Sequence, residues 1–240
     1  MGETDRTRIY VVRHAEARGN LERIFQGQTD SDVTEKGLLQ LAALAEYFKN
    51  IRLDAVYSSD LKRAVMTARY VNSHAGLEIR TDPRLREIHG GLWENVHFDE
   101  LPVRFPEAYR TWEHQPHLHK MPQGESMEDV YRRMVEAITD IAHAHRGQNV
   151  AVVSHGAAIR TLRTFALGLP LSQLNDMLWC ENTAVTVIDF DEKMRPYLTV
   201  NGDASHISDE LSTVRRQRWY LKLKEKAKCG APQGDSKGGA

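Results

Sequence analysis

The sequence predicts an α/β fold, a three-layer sandwich in which a mostly parallel sheet carries helices on both faces and ends in an antiparallel edge strand. Two observations predict it. Short apolar runs rich in β-branched residues alternate with longer stretches of helical period, which is how parallel strands covered by helices read. The last two runs are separated by a single short turn, so they form a hairpin at one edge of the sheet.

The elements follow in order. "RIYVVRH" (8–14) is the first buried strand. Thr34 or Asp32 caps the first helix, which carries Leu38, Leu41, Ala45 and Phe48 on one face. "DAVYSS" (54–59) is the second strand. Asp60 caps the helix after it, with Leu61, Ala64, Val65, Ala68 and Val71 as its stripe. A short strand lies around "LEIRT" (77–81). Residues 97–123 form a lid insertion over the sheet: Pro102, Pro106, Pro116 and Pro122 allow at most a short helix around Pro106–His114. Ser126, with Asp129 three residues on, starts a helix whose face holds Val130, Met134, Ala137, Ile138 and Ile141. "QNVAVVSH" (148–155) is the next strand, and a helix begins at Gly156 directly after it. "TAVTVIDFD" (183–191) and "RPYLTVN" (195–201) make the edge hairpin. Residues 1–206 form one domain, followed by a basic helix over 207–228 and a disordered tail over 229–240.

Composition narrows the function. Thirty-two Lys and Arg against thirty-three Asp and Glu leave a net charge of −1, so no global field favours nucleic acid or an anionic membrane. Any anion site must be local. Two cysteines, Cys180 and Cys229, suit a reducing compartment. "MGETDRTR" has no signal core and no apolar run reaches membrane-spanning length, so the expected location is the cytoplasm. The apolar stretch 167–179 is read either as a homodimer interface or as core.

The chemistry collects where strands end and helices begin. Arg13 and His14 close the first strand, His155 and Gly156 follow another, and Arg63 lies in the opening turn of the helix after "AVYSS". Two guanidinium groups and two imidazoles on one rim match a phosphate dianion, which arginine binds bidentately. A neutral imidazole can attack phosphorus, and nearby arginines favour the neutral form. A departing alkoxide needs a proton. Glu87 in "LREIHGGLWEN" (85–95) is the leading carboxylic acid, with Glu94 and Glu16 as local rivals.

At these residues the sequence resembles the histidine phosphatase superfamily, the phosphoglycerate-mutase-like group. "RHAE" (13–16), "SSDLKRAVMTA" (58–68), "LREIHGGLWEN" and "VSHGAAIR" resemble four of its motifs in the family's order, and the likeness covers most of residues 8–206. The resemblance implies that His14 is the phosphoaccepting nucleophile and Glu87 the proton donor, with Arg13, Arg63 and His155 clamping the phosphate. Asn20 and the "FQG" of Phe25, Gln26 and Gly27 match positions that touch phosphate or substrate in the family, and a turn-forming role for Asn20 and Gln26 stands beside that. Two departures are Ala15 in place of a usual glycine and Asn95 where a glycine often follows Trp-Glu.

The activity implied is hydrolysis of a small phosphorylated metabolite through a phosphohistidine, with no metal and no cofactor. The mutases of the family carry a longer insertion with a tandem arginine pair, whereas residues 97–123 offer Arg104, Arg110 and Lys120 scattered among aromatic residues and prolines. Phosphoglycerate mutase chemistry is the runner-up, and a non-catalytic domain that binds phosphorylated ligands is the third reading. Phe98, Leu101, Phe105, Tyr109 and Trp112 suggest a partly apolar lid over the leaving group or, equally, a helix packed on the core. His114, His117 and His119 are read as a solvated or substrate-facing loop rather than a metal site.

Overall fold

The computed structural model describes residues 6–216. In chain order these are β1 (Thr7–Arg13), the single turn α1 (Arg18–Leu21), α2 (Glu35–Phe48), β2 (Ala55–Ser58), α3 (Lys62–Val71) and β3 (Ile79–Thr81). Then come α4 (Leu101–Arg104), α5 (Pro106–His114), α6 (Met127–Ala144), β4 (Asn149–Ser154), α7 (Gly156–Ala166), β5 (Val185–Phe190) and β6 (Pro196–Asp203), with short 3₁₀ turns between.

The six strands form one sheet in the order β3-β2-β4-β1-β5-β6. β1, β2, β3 and β4 are mutually parallel; β5 runs antiparallel to β1, and β6 returns antiparallel to β5 at the edge. Strand alternation divides the core. Ile9 and Val11 of β1 join the cluster containing Val130, Met134 and Ile138 of α6 and Ile159 and Leu162 of α7. Tyr10 and Val12 turn to the opposite face, where Leu41, Leu44 and Phe48 of α2 and Ala64, Ala68 and Val71 of α3 cover them. Both faces are therefore closed, as the near-continuous apolar strands require. The two central strands align Arg13 with Ser154 in register, so their following residues, His14 and His155, emerge side by side at one edge.

The structure corrects some element details. Thr34, not Asp32, caps α2, its hydroxyl accepting from Gly37 N at 3.0 Å. The buried stripe of α2 is rotated from the expected one: Leu38 is exposed, while Gln40 and Leu44 are buried. Gln40 lies inside because its amide oxygen accepts from Glu16 N at 2.8 Å and its amide nitrogen donates to Leu211 O at 2.7 Å. α3 starts after Leu61 rather than at Asp60. Asp60 is held by Arg86, and Asp30 from a separate loop accepts the Lys62 N–H at 2.9 Å.

Within the insertion, Leu101 is fully buried and Phe105 packs beside Trp93 with ring centroids 6.1 Å apart, so both serve the core rather than the lid. In the 167–179 stretch Leu174 is buried, whereas Leu167 and Leu178 are exposed. Residues 207–213 run through turns, not a helix. The Glu181 carboxylate takes the N–H groups of Thr213 and Val214 and the Ser212 hydroxyl, which commits that backbone to contacts a helix would forbid. Val214–Arg216 form a 3₁₀ turn, and residues 217–240, on which the rest of the expected basic helix and the expected tail fall, lie outside the described residues.

Candidate active site

β1 delivers Arg13 and His14, the turn before α7 delivers His155, and α3 delivers Arg63. The His14 and His155 ring centroids are 5.1 Å apart. His14 Nδ1 lies 2.7 Å from the carbonyl oxygen of Ala15. A carbonyl only accepts, so Nδ1 carries the proton and Nε2 keeps its lone pair. Burial pushes the His14 pKa well below its ordinary value of 6.5, and the Arg63 and Arg13 charges push it further down. His155 is lowered in the same way, by burial first and then by Arg63 and His14. Its Nε2 pairs with Ser59 Oγ at 2.8 Å, while Nδ1 is buried without a protein partner. Both rings are held neutral.

Arg63 is 1% exposed and donates from Nη1 to Thr29 O at 2.8 Å and from Nη2 to Gly27 O at 2.7 Å. Burial lowers its pKa to about 10, so it stays cationic at neutral pH. Arg13 donates from Nη1 to the Cys180 carbonyl. Each arginine leaves its Nε buried without a protein acceptor. These two guanidinium groups and His155 Nδ1 thus hold polar nitrogens around His14 that the fold does not satisfy.

Glu87 reaches the same place from the loop after β3. Its carboxylate accepts from Ala157 N at 3.1 Å and Ala158 N at 3.2 Å, at the first turn of α7, and from Ile88 N at 2.9 Å. Arg133 of α6 fixes this loop by donating to the carbonyls of Arg84, Arg86 and Glu87 at 2.8, 2.6 and 2.9 Å. Ser154 Oγ adds a bond to Leu85 O at 2.8 Å. The two rival carboxylates are occupied elsewhere. Glu94 accepts from Gln28 N, Gly90 N and Thr29 Oγ1, each at 2.9 Å, and Glu16 is buried with Thr34 and Thr213 hydroxyls at 2.8 and 3.0 Å.

The remaining expected residues also gather here. Arg13, His14, Asn20, Gln26, Gly27, Arg63, Glu87 and Gly156 all line one cavity of about 700 Å³. Asn20 has a turn role as well, its Oδ1 accepting from Ala17 N at 3.0 Å, and Gln26 accepts from the Ser31 hydroxyl. Gly27 is required by its conformation: φ is +52°, and a Cβ there would meet Glu94 Oε1 at 2.3 Å. A Cβ on Gly156 would lie 3.1 Å from the Trp179 ring. Ala15 is not in the left-handed region, so alanine fits there without strain, whereas Asn95 has φ +64°, a conformation that asparagine tolerates.

Of the insertion's aromatic residues, Phe98, Tyr109 and Trp112 line the cavity. Of the three histidines expected in a solvated or substrate-facing loop, His114 lines the cavity, whereas His119 is 1% exposed, packs 5.0 Å from Trp93, and has its pKa lowered by burial to about 4. Among the described residues no group of three or more His, Cys, Asp or Glu side chains is arranged to hold a metal.

Sequence reasoning missed Arg133, Asn182, Thr213 and Val214. Arg133 had a signal: it sits three residues after Val130 and four before Ala137, a cation placed in an apolar stripe. Asn182, which donates to His14 O at 2.8 Å, and the cavity-lining Thr213 and Val214 come from loops without a motif.

A model of the "Histidine phosphatase superfamily (branch 1)" matches residues 9–203. The chain is 33% identical over 197 residues to phosphoserine phosphatase 1 of Hydrogenobacter thermophilus, covering 81% of this chain and 92% of that protein. It is 35% identical over 205 residues to a probable phosphoglycerate mutase of an Enterobacter species, covering 83% and 94%. Among solved structures, Bacillus stearothermophilus YhfR superposes with a TM-score of 0.80 at 36% identity, over 83% of this chain and 98% of that one.

Proposed function

The chain belongs to the histidine phosphatase superfamily, and on that footing we propose that it hydrolyses small-molecule phosphomonoesters through a phosphohistidine on His14. The observation that carries this reading is the state of His14. Its Nδ1 is tied to the Ala15 carbonyl, its pKa is depressed, and Arg13, Arg63 and His155 surround it with unsatisfied nitrogens.

In the first step Nε2 of His14 attacks phosphorus in line while the ester oxygen leaves with a proton from Glu87. Arg13 and Arg63 stabilise the charge on the equatorial oxygens, and His155 supplies a further ring nitrogen. In the second step Glu87, now a carboxylate, deprotonates the water that displaces His14 and releases inorganic phosphate. Two fixed guanidinium groups supply the positive charge that this transfer needs, so we propose that it runs without a metal ion.

Hydrolysis of an aryl phosphate in EDTA, together with acid-labile phosphate on the protein, tests the reading. Turnover that persists in His14→Ala, or none in the wild type, overturns it. The likeness to a probable phosphoglycerate mutase supports a second reading, phosphoryl transfer between hydroxyls. Isomerisation of 3-phosphoglycerate without release of phosphate would establish that one instead.

A further inference from the structure

The cavity extends well beyond the space around His14, and part of its lining is apolar and aromatic. At about 700 Å³ it falls among sites that enclose a whole small organic molecule, roughly 300–1,000 Å³. Phe25, Phe98, Tyr109, Trp112, Met177 and Trp179 give the cavity an apolar, aromatic wall that reaches the phosphate clamp at Trp179, beside Gly156. Phe25 meets the Trp112 ring edge-on at 5.7 Å, and Trp112 faces Trp179 at 6.1 Å with an interplanar angle of 36°. Both tryptophans are half-buried, and the indole surface they leave to the cavity is one against which an aromatic ring packs.

The two arginines on this wall already have hydrogen-bond partners. Arg23 is held by Asp99 through two bonds of 2.9 and 3.2 Å. Arg160 spends Nε on Met177 O at 2.5 Å and Nη2 on Leu174 O at 2.9 Å, and its guanidinium lies 4.7 Å from the Trp179 centroid. Glu113 adds a negative charge at the mouth. A carboxylate on the leaving group would have to displace Asp99 to pair with Arg23 and would meet the like charge of Glu113, whereas an uncharged ring would do neither.

We propose that the site selects phosphomonoesters whose alcohol is uncharged and carries an aromatic or comparably bulky apolar group, with Trp112 and Trp179 as the residues that determine this specificity. The proposal rests on the phosphomonoesterase reading given above.

The test compares 2-phenylethyl phosphate, ethyl phosphate, O-phosphoserine and 3-phosphoglycerate, all of which expel an aliphatic alkoxide, so that differences report recognition rather than leaving-group reactivity. The phenylethyl ester should exceed each of the others in kcat/KM by about tenfold, the value of burying one ring. Trp112→Leu and, separately, Trp179→Leu should each cut the phenylethyl-to-ethyl ratio by about fivefold, mainly through KM. Asp99→Ala, which releases Arg23, should raise kcat/KM for 3-phosphoglycerate several-fold. Preference for a carboxylate-bearing ester, or an unchanged ratio in both folded tryptophan variants, overturns the proposal. Binding of 2-phenylethylphosphonate against ethylphosphonate, followed by tryptophan fluorescence, separates the two readings. Tight phosphonate binding without hydrolysis of any ester refutes the phosphatase alone; hydrolysis without preference refutes the specificity alone.

Discussion

His14 and His155 face one another at 5.1 Å, yet their ring nitrogens are held in opposite ways. His14 binds the backbone through Nδ1, whereas His155 uses Nε2 on Ser59 and leaves Nδ1 unsatisfied. Only His14 has its orientation and tautomer set by its neighbouring carbonyl, as a nucleophile requires.

That asymmetry separates two variants. His14→Ala should eliminate acid-labile protein phosphate and reduce kcat by at least about 10³-fold. His155→Ala should still form the phosphoenzyme, more slowly. Rapid-quench labelling distinguishes them, and equal labelling in both would contradict the assignment.

Glu87 is expected to matter in proportion to how badly the leaving group needs a proton. Glu87→Gln should lower kcat for alkyl phosphates by about 10²- to 10⁴-fold, and far less for p-nitrophenyl phosphate, whose phenolate leaves unaided. The ratio of the two rates across wild type and variant is the measurement.

The buried imidazoles link stability to pH. His14, His155 and His119 all have folded pKa values below 6.5, with His119 at about 4. The unfolded chain therefore binds more protons as pH falls beneath the unfolded value. Stability is full above pH ~6.5 and declines below it, by up to about 1.4 kcal/mol per pH unit for each histidine. Urea denaturation at pH 7, 6 and 5 reads this slope. In NMR, His14 and His155 should show no titration step near pH 6.5, the ordinary value for an imidazole.

Gly27→Ala forces a Cβ onto Glu94 from a left-handed backbone, and Gly27 O is an anchor of Arg63. It should cost about 1–3 kcal/mol of stability and weaken competitive inhibition by inorganic phosphate. Thermal denaturation and inhibition constants check the two effects together.

Arg133→Met removes the donor that holds three carbonyls of the Glu87 loop and leaves Glu125 half-buried without its partner. A loss of about 2–4 kcal/mol in stability is expected. As Arg133 positions Glu87, the variant should also lower the alkyl-to-nitrophenyl rate ratio in the same direction as Glu87→Gln.

The sheet and its helices were legible because strand and helix periods are local properties. The Ser126 cap and the Gly156 start are read directly from neighbouring residues, and the structure has both. The rotated face of α2 was not legible. A buried glutamine in place of Leu38 depends on Glu16, Leu211 and Thr213, the last two of which are about 170 residues away in the chain.

By itself the sequence determined the fold class, the strand ends and the residue types that meet there: Arg13, His14, Arg63, Glu87 and His155. These are set by short motifs whose apolar flanks decide their own burial. Only the tertiary structure decided which nitrogen of His14 is bare, that Glu94 and Glu16 are already engaged, and that Thr213 and Val214 line the cavity. Each of those depends on hydrogen-bond partners brought together across the sheet, and such partners leave no period or spacing in the chain.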